Sequence, residues 1–226
     1  MGTSYYGDKQ YAVKYADIMT QSYHPVKHFT TGEGGAVFTN NIRLDEKIRR
    51  LRSHGMTKES SLLKKNDGPW YYEMHEIGYN YRIADFQCAL GSNQLKKLNL
   101  FVEKRRKIAK KYDELFSDFD KLKTPEIHNS VHHSYHLYPL LIDFDKSLYN
   151  KKQFFEKMKE KGINFQVHYI PVHLQPFYQN NYGFKSGDFP VSESFYRKEV
   201  SLPIYPDLSI DNASLVVNNI LERISN

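Results

Sequence analysis

A single cysteine, Cys88, stands among 226 residues. That excludes a disulfide scaffold and a multi-thiolate zinc site. No apolar run approaches the roughly 20 residues a membrane span needs. No stretch joins a basic start, an apolar centre and a small-residue cleavage site. The expectation is a cytoplasmic protein with no membrane partner. No Gly-x-Ser-x-Gly turn exists, so a serine elbow is absent, and repeats and low-complexity tracts are missing too. What is there suits a packed core: 40% of residues are hydrophobic. Lys plus Arg is 32 against 26 Asp plus Glu, a net charge of +6. The basic residues are scattered. The densest runs, at Lys104-Arg105-Arg106-Lys107 and Lys151-Lys152, lie in segments with helical patterning and read as solvated helix faces. No nucleic-acid partner is expected; a mildly positive field suits a small anionic substrate.

Apolar spacing organises the chain. Ala36-Val37-Phe38-Thr39 reads as a strand behind the turn-rich Thr30-Thr31-Gly32-Glu33-Gly34-Gly35. Residues 44–52 read as a helix stopped at Gly55. Residues 56–76 read as a long loop. Residues 84–116 carry 3-then-4 spacing through Leu95, Leu98, Val102, Ala109, Tyr112 and Phe116, with a break expected near Gly91 or Asn99. Cys88 falls within this helix as an inert buried thiol. A polar joint with Pro125 follows, so the domains divide as 1–117 and 118–226. The second part alternates: strand 137–144, helix 148–161, strand 163–169, a helix capped by Asp188 with Pro190 in its first turn, and a last helix capped by Ser209. Alternating strands and helices give an α/β layered fold.

Two histidine groups invite a metal reading. His132 and His133 point to opposite faces of an extended segment, and His168 and His173 have no carboxylate close in sequence, so no metal site is expected. Lys27 is more informative. Pro25 stiffens its approach, and aromatic and imidazole rings flank it. Such a setting can desolvate an amine, and only the neutral amine attacks a carbonyl. Ser22 and the glycine turn add anion contacts.

Ser22-Tyr23-His24-Pro25-Val26-Lys27, followed by Thr30-Thr31-Gly32-Glu33-Gly34-Gly35, resembles the lysine motif of the DegT/DnrJ/StrS family of PLP-dependent sugar aminotransferases. Arg52-Ser53-His54-Gly55, Gly78-Tyr79-Asn80-Tyr81-Arg82, Tyr135-His136-Leu137-Tyr138 and Ser201-Leu202-Pro203-Ile204-Tyr205-Pro206 match further blocks in order. The resemblance implies the C-terminal part of a fold-type I transferase: the end of the PLP-binding large domain with a long connecting helix, then a small α/β domain. It implies Lys27 as the lysine bonded to pyridoxal 5′-phosphate, Ser22 on the phosphate, and Asn80 reaching the cofactor of a neighbouring subunit in a homodimer with shared active sites. His168, Tyr169 and His173 fall near the sugar nucleotide. The segment from Val167 to Tyr178 looks most like the members acting in pseudaminic acid synthesis. These move an amino group from glutamate to C4 of a UDP-4-keto-6-deoxy-N-acetylhexosamine.

One departure is large. The family's acidic residue facing the pyridine nitrogen precedes Gly2-Thr3-Ser4-Tyr5-Tyr6-Gly7, and neither Asp8 nor Asp17 substitutes for it. The expectation is an N-terminally truncated chain, or one completed by an N-terminal partner polypeptide. The alternative is an inactive fragment or interaction remnant. A related ketosugar dehydratase carries His at the lysine position, and Lys27 argues against it.

Overall fold

A computed structural model describes residues 1–224. Contacts divide the chain into two compact units, Ser4–Leu98 and Met1–Thr3 with Asn99–Asn226. The division falls at the head of the long helix, not at its end where the sequence suggested a joint. The reason lies in that helix: its buried face is built into the C-terminal core.

The N-terminal unit runs β1 (Ser4–Tyr5), α1 (Tyr11–Lys14), β2 (Met19–Ser22), β3 (Gly35–Phe38), α2 (Ile42–Arg52), β4 (Met56–Thr57), β5 (Glu73–Met74) and α3 (Asp85–Leu95). Strands β2 and β3 form an antiparallel pair with Met19 opposite Phe38 and Ser22 opposite Gly35. Asn41 starts α2: its side-chain oxygen accepts from the amides of Arg43 at 3.0 Å and Leu44 at 3.3 Å. The expected loop 56–76 is closed at its ends by the β4–β5 pair. The expected helix 84–116 is two helices, parted at Lys96-Lys97. Cys88 is exposed, contrary to expectation. Apolar side chains surround α3 on every side, Phe86, Leu90 and Leu95 among the exposed ones, so periodicity could not say which face turns inward.

The C-terminal unit contains α4 (Leu98–Phe116), β6 (Leu122–Lys123), β7 (Val131–His132), β8 (Tyr138–Ile142), α5 (Lys151–Glu160), α6 (Pro176–Tyr182), α7 (Pro190–Lys198), β9 (Glu199–Leu202) and α8 (Ile210–Ile224). An antiparallel sheet of order β6-β8-β9 sits at its centre. Ile108, Ala109, Tyr112 and Phe116 of α4, Phe154 and Met158 of α5, and Val216, Val217, Ile220 and Ile224 of α8 share one core with the sheet. Asn150 caps α5 reciprocally with Gln153, and Ser209 Oγ accepts from the Asn212 amide at 3.1 Å. The buried Arg105 donates to the carbonyls of Tyr135 at 3.3 Å, His136 at 3.4 Å and Ile204 at 2.5 Å.

Two expectations fail here. Residues 163–169 form no strand; their backbone pairs with β9 at one bridge, Gln166 opposite Ser201. Ile163 and Phe165 point inward, so period-2 patterning reported extended backbone without a ladder. Asp188 does not cap α7. Its carboxylate accepts from the Lys185 amide at 2.9 Å, and Phe189 precedes Pro190 at the helix start.

Candidate functional site

The lysine loop is the connection of the β2–β3 pair. Ser22 ends β2, and Lys27 stands half-buried in the turn beyond it. The loop is braced from within. Tyr23 donates its amide to Gly34 O at 2.9 Å and accepts at its carbonyl from the Thr31 amide at 3.1 Å and Thr30 Oγ1 at 2.8 Å. Thr30 Oγ1 takes the Gly32 amide at 2.8 Å, and Thr31 Oγ1 donates to Glu33 O at 2.7 Å. The Tyr23 and Phe29 rings pack at 4.8 Å beneath the turn, and partial burial raises the pKa of the Tyr23 phenol. A Cβ on Gly91 of α3 would lie 2.6 Å from Thr31 Cγ2, so only glycine lets Thr31 seat there. Ser22 Oγ accepts from the His24 amide at 3.3 Å, and a hydroxyl used in that way keeps its own proton for an anion.

Asn80 belongs to a second construction in the same unit. Gly55 has φ of +70°, and a Cβ there would fall 1.7 Å from the Glu76 carbonyl oxygen. A Cβ on Gly78 would fall 2.2 Å from the Gly55 nitrogen. Through this close approach, residues 78–82 run against the end of α2. The Tyr79 amide donates to Leu51 O at 2.6 Å, the Tyr81 amide to Arg52 O at 2.9 Å, and the His54 amide to Tyr79 O at 2.8 Å. Asn80 is exposed opposite Ser53, and the Tyr79 and Tyr81 rings stack at 4.8 Å. The blocks Arg52-Ser53-His54-Gly55 and Gly78-Tyr79-Asn80-Tyr81-Arg82 are therefore one structure.

His168, Tyr169 and His173 lie in the C-terminal unit, on the segment between α5 and α6. Tyr169 is 70% exposed and His168 half-buried, their rings edge-on at 4.6 Å. His173 turns inward, its Nε2 at 2.9 Å from Glu193 Oε1. Glu193 also accepts from Ser186 Oγ at 3.1 Å and the Gly187 amide at 2.8 Å. The His173 hydrogen bond, then the Gly187 amide, hold its carboxyl well below the usual range, at about 2. Sequence reasoning missed Glu193, Glu199 and Ser201. A glutamate two residues before Ser201, with the apolar Val200 and Leu202 alternating with them, was the available signal, since an acid inside a buried strand needs partners. Among the described residues, no three His, Cys, Asp or Glu side chains gather as a group that could hold a metal ion. No helix among them is long and apolar enough to cross a membrane.

Comparison with known proteins extends this geometry. The profile of the DegT/DnrJ/EryC1/StrS aminotransferase family matches residues 1–221. An uncharacterised protein of Methanocaldococcus jannaschii, MJ1066, is 42% identical over 100% of this chain and 58% of its own. The UDP-4-amino-4,6-dideoxy-N-acetyl-β-L-altrosamine transaminase of Campylobacter jejuni serotype O:23/36 is 38% identical over 99% of this chain and 57% of its own. The solved structure of Helicobacter pylori PseC, an aminotransferase of pseudaminic acid biosynthesis, superposes with a TM-score of 0.81 at 34% identity. It covers 92% of this chain and 53% of its own. The chain thus spans a little over half the length of the curated relatives it matches. The fold is that of the C-terminal portion of a fold-type I aminotransferase. The cofactor of this family is pyridoxal 5′-phosphate. The donors of the lysine loop fit it: a hydroxyl with a proton to give, and an amine on a braced turn. A match running through five ordered sequence blocks, two of which the fold joins into one structure, makes this chain a member of the DegT/DnrJ/EryC1/StrS aminotransferase family.

Proposed function

We propose that the chain carries the lysine-bearing portion of a nucleotide-sugar aminotransferase. The amino donor is glutamate, and the acceptor is C4 of a UDP-4-keto-6-deoxy-N-acetylhexosamine. The observation that carries the reading is Lys27 on the braced turn that follows Ser22, in a chain of this family. The similarity to PseC and to the C. jejuni transaminase supports the substrate class.

When bound, the cofactor supplies a carbonyl for amines and an electron-withdrawing ring. The chain's residues do the rest. Lys27 Nζ would hold the cofactor and would serve as the base that moves the proton at the reacting sugar carbon. Ser22 Oγ donates to the phosphate. The internal hydrogen bonds of the loop fix both groups before ligand arrives, which lowers the entropic cost of binding. Asn80 reaches the phosphate in a second copy of the chain, giving a homodimer with shared sites. The exposed Ile77, Tyr79, Tyr81 and Phe86 around it suit such a contact. His168 and Tyr169 meet the sugar nucleotide. His173 acts through Glu193 to hold their segment in place.

The test is an absorbance titration of the chain with PLP, then borohydride reduction and mass spectrometry. A saturable visible band reduced onto Lys27, lost in Lys27→Ala, is expected. Ser22→Ala is expected to weaken PLP binding roughly 10- to 100-fold, the worth of one hydrogen bond to a charged group. Labelling spread over many lysines would overturn the assignment. Amino transfer to the UDP-4-ketosugar, followed with isotopic glutamate, checks the substrate.

A further inference from the structure

Behind His168 lies a buried relay that the amino-transfer reading does not use. Ser201 Oγ lies 2.7 Å from His168 Nδ1 and donates to Glu199 Oε1. Glu199 Oε2 accepts from the backbone amide of His168 at 3.0 Å. Glu199 is fully buried and Ser201 nearly so. The Lys151 ammonium contributes a favourable charge interaction with the Glu199 carboxylate. Both oxygens of the Glu199 side chain thus accept, one from Ser201 Oγ and the other from the His168 amide.

Hydrogen-bond arithmetic then fixes the imidazole. Ser201 has one hydroxyl proton, and Glu199 takes it. Ser201 can meet His168 Nδ1 only as an acceptor, so Nδ1 carries the ring proton. The neutral ring is left with a bare lone pair on Nε2. We propose that Glu199 and Ser201 are positioning residues that lock His168 as the Nδ1–H tautomer. Its Nε2 then serves as a hydrogen-bond acceptor for an O–H or N–H donor of the ligand. His168 is half-buried rather than enclosed and the adjoining Tyr169 is exposed; a sugar hydroxyl or an amide N–H is the class of donor such an acceptor takes. What Nε2 meets rests on the nucleotide-sugar reading above; the tautomer does not.

Glu199→Gln discriminates because the His168 amide orients the new amide group. That N–H needs the oxygen of Gln, so the NH2 must face Ser201 and donate to it. Ser201 then turns its proton to Nδ1, and the imidazole switches to the Nε2–H tautomer. The experiment is NMR of the full chain labelled with 15N-histidine, at about pH 8, well above the ordinary imidazole pKa. The His168 signals are identified by their loss in His168→Gln. A protonated Nδ1 and bare Nε2 are expected in the unaltered chain, the reverse in Glu199→Gln, and loss of the lock in Ser201→Ala. An Nε2–H tautomer in the unaltered chain overturns the proposal whether or not the variants fold. So does Nδ1–H persisting in both variants. Absence of amino transfer with a clean Nδ1–H signal would sink the functional reading alone.

Discussion

In the C-terminal unit Tyr112, Tyr138, Phe154, Met158 and Ile220 are fully buried. In the N-terminal unit Phe29 is the sole buried apolar side chain among the described residues, while Ile77 is 89% and Phe86 76% exposed. The first unit is held by a core. The second is held by backbone hydrogen bonds and close glycine contacts, in the lysine loop and between residues 52–55 and 78–82. The proposed cofactor lysine and the apolar core therefore lie in different parts of the chain. The lysine loop needs geometry more than burial, and its hydrogen bonds provide it.

Substitutions can break this contrast. Phe154→Ala removes a ring stacked on Phe165 at 5.7 Å and is expected to cost about 3–5 kcal/mol. Urea unfolding followed by C-terminal probes checks it, and the PLP band at Lys27 should outlast the loss at low urea. Gly55→Ala should act in the other unit. A Cβ against the Glu76 carbonyl and a left-handed backbone together cost about 3 kcal/mol. Hydrogen exchange should speed up at the Tyr79 and Tyr81 amides and stay unchanged at β8 and β9.

Acid sharpens the comparison. The Glu193 carboxyl lies near 2 in the folded state against an ordinary 4.5. Its stabilisation is complete above the unfolded value and is lost as pH falls from about 4.5 towards 2. Thermal melts of the C-terminal unit over that window should fall with pH, and Glu193→Gln should flatten the fall. The smallest effects come from the caps. Asn150→Ala and Asn41→Ala should each cost about 1 kcal/mol, the first read in the C-terminal unit and the second in the N-terminal one. A shared, equal response of both units to either cap would erase the distinction.

Much of the C-terminal unit was legible because its helices α5 and α8 divide apolar from polar faces, leaving Phe154, Met158, Val216 and Ile220 in register. α3 was not legible in the same way, since apolar residues surround it. The segment 163–169 misled because alternation dictates which side chains point inward, not whether a neighbour completes a ladder. Pro25 and the flanking rings marked Lys27, and the glycine turn marked Ser22, as a candidate setting, but only the family motifs attached roles to them and brought in Asn80. The partners of His168 lie more than thirty residues ahead of it, and their meeting depends on the Gln166–Ser201 bridge, which no local pattern announces.

Arg105 has a consequence for synthesis. Its guanidinium reaches forward to Tyr135 and His136 and, at a separation of 99 residues, to Ile204. The core around it also needs β9 and α8, which are made well after it. Synthesis from the N-terminal side releases the lysine loop before the contacts of Arg105 are complete. Closure of the C-terminal core thus waits until β9 and α8 have been made, and long-range closure of this kind slows folding.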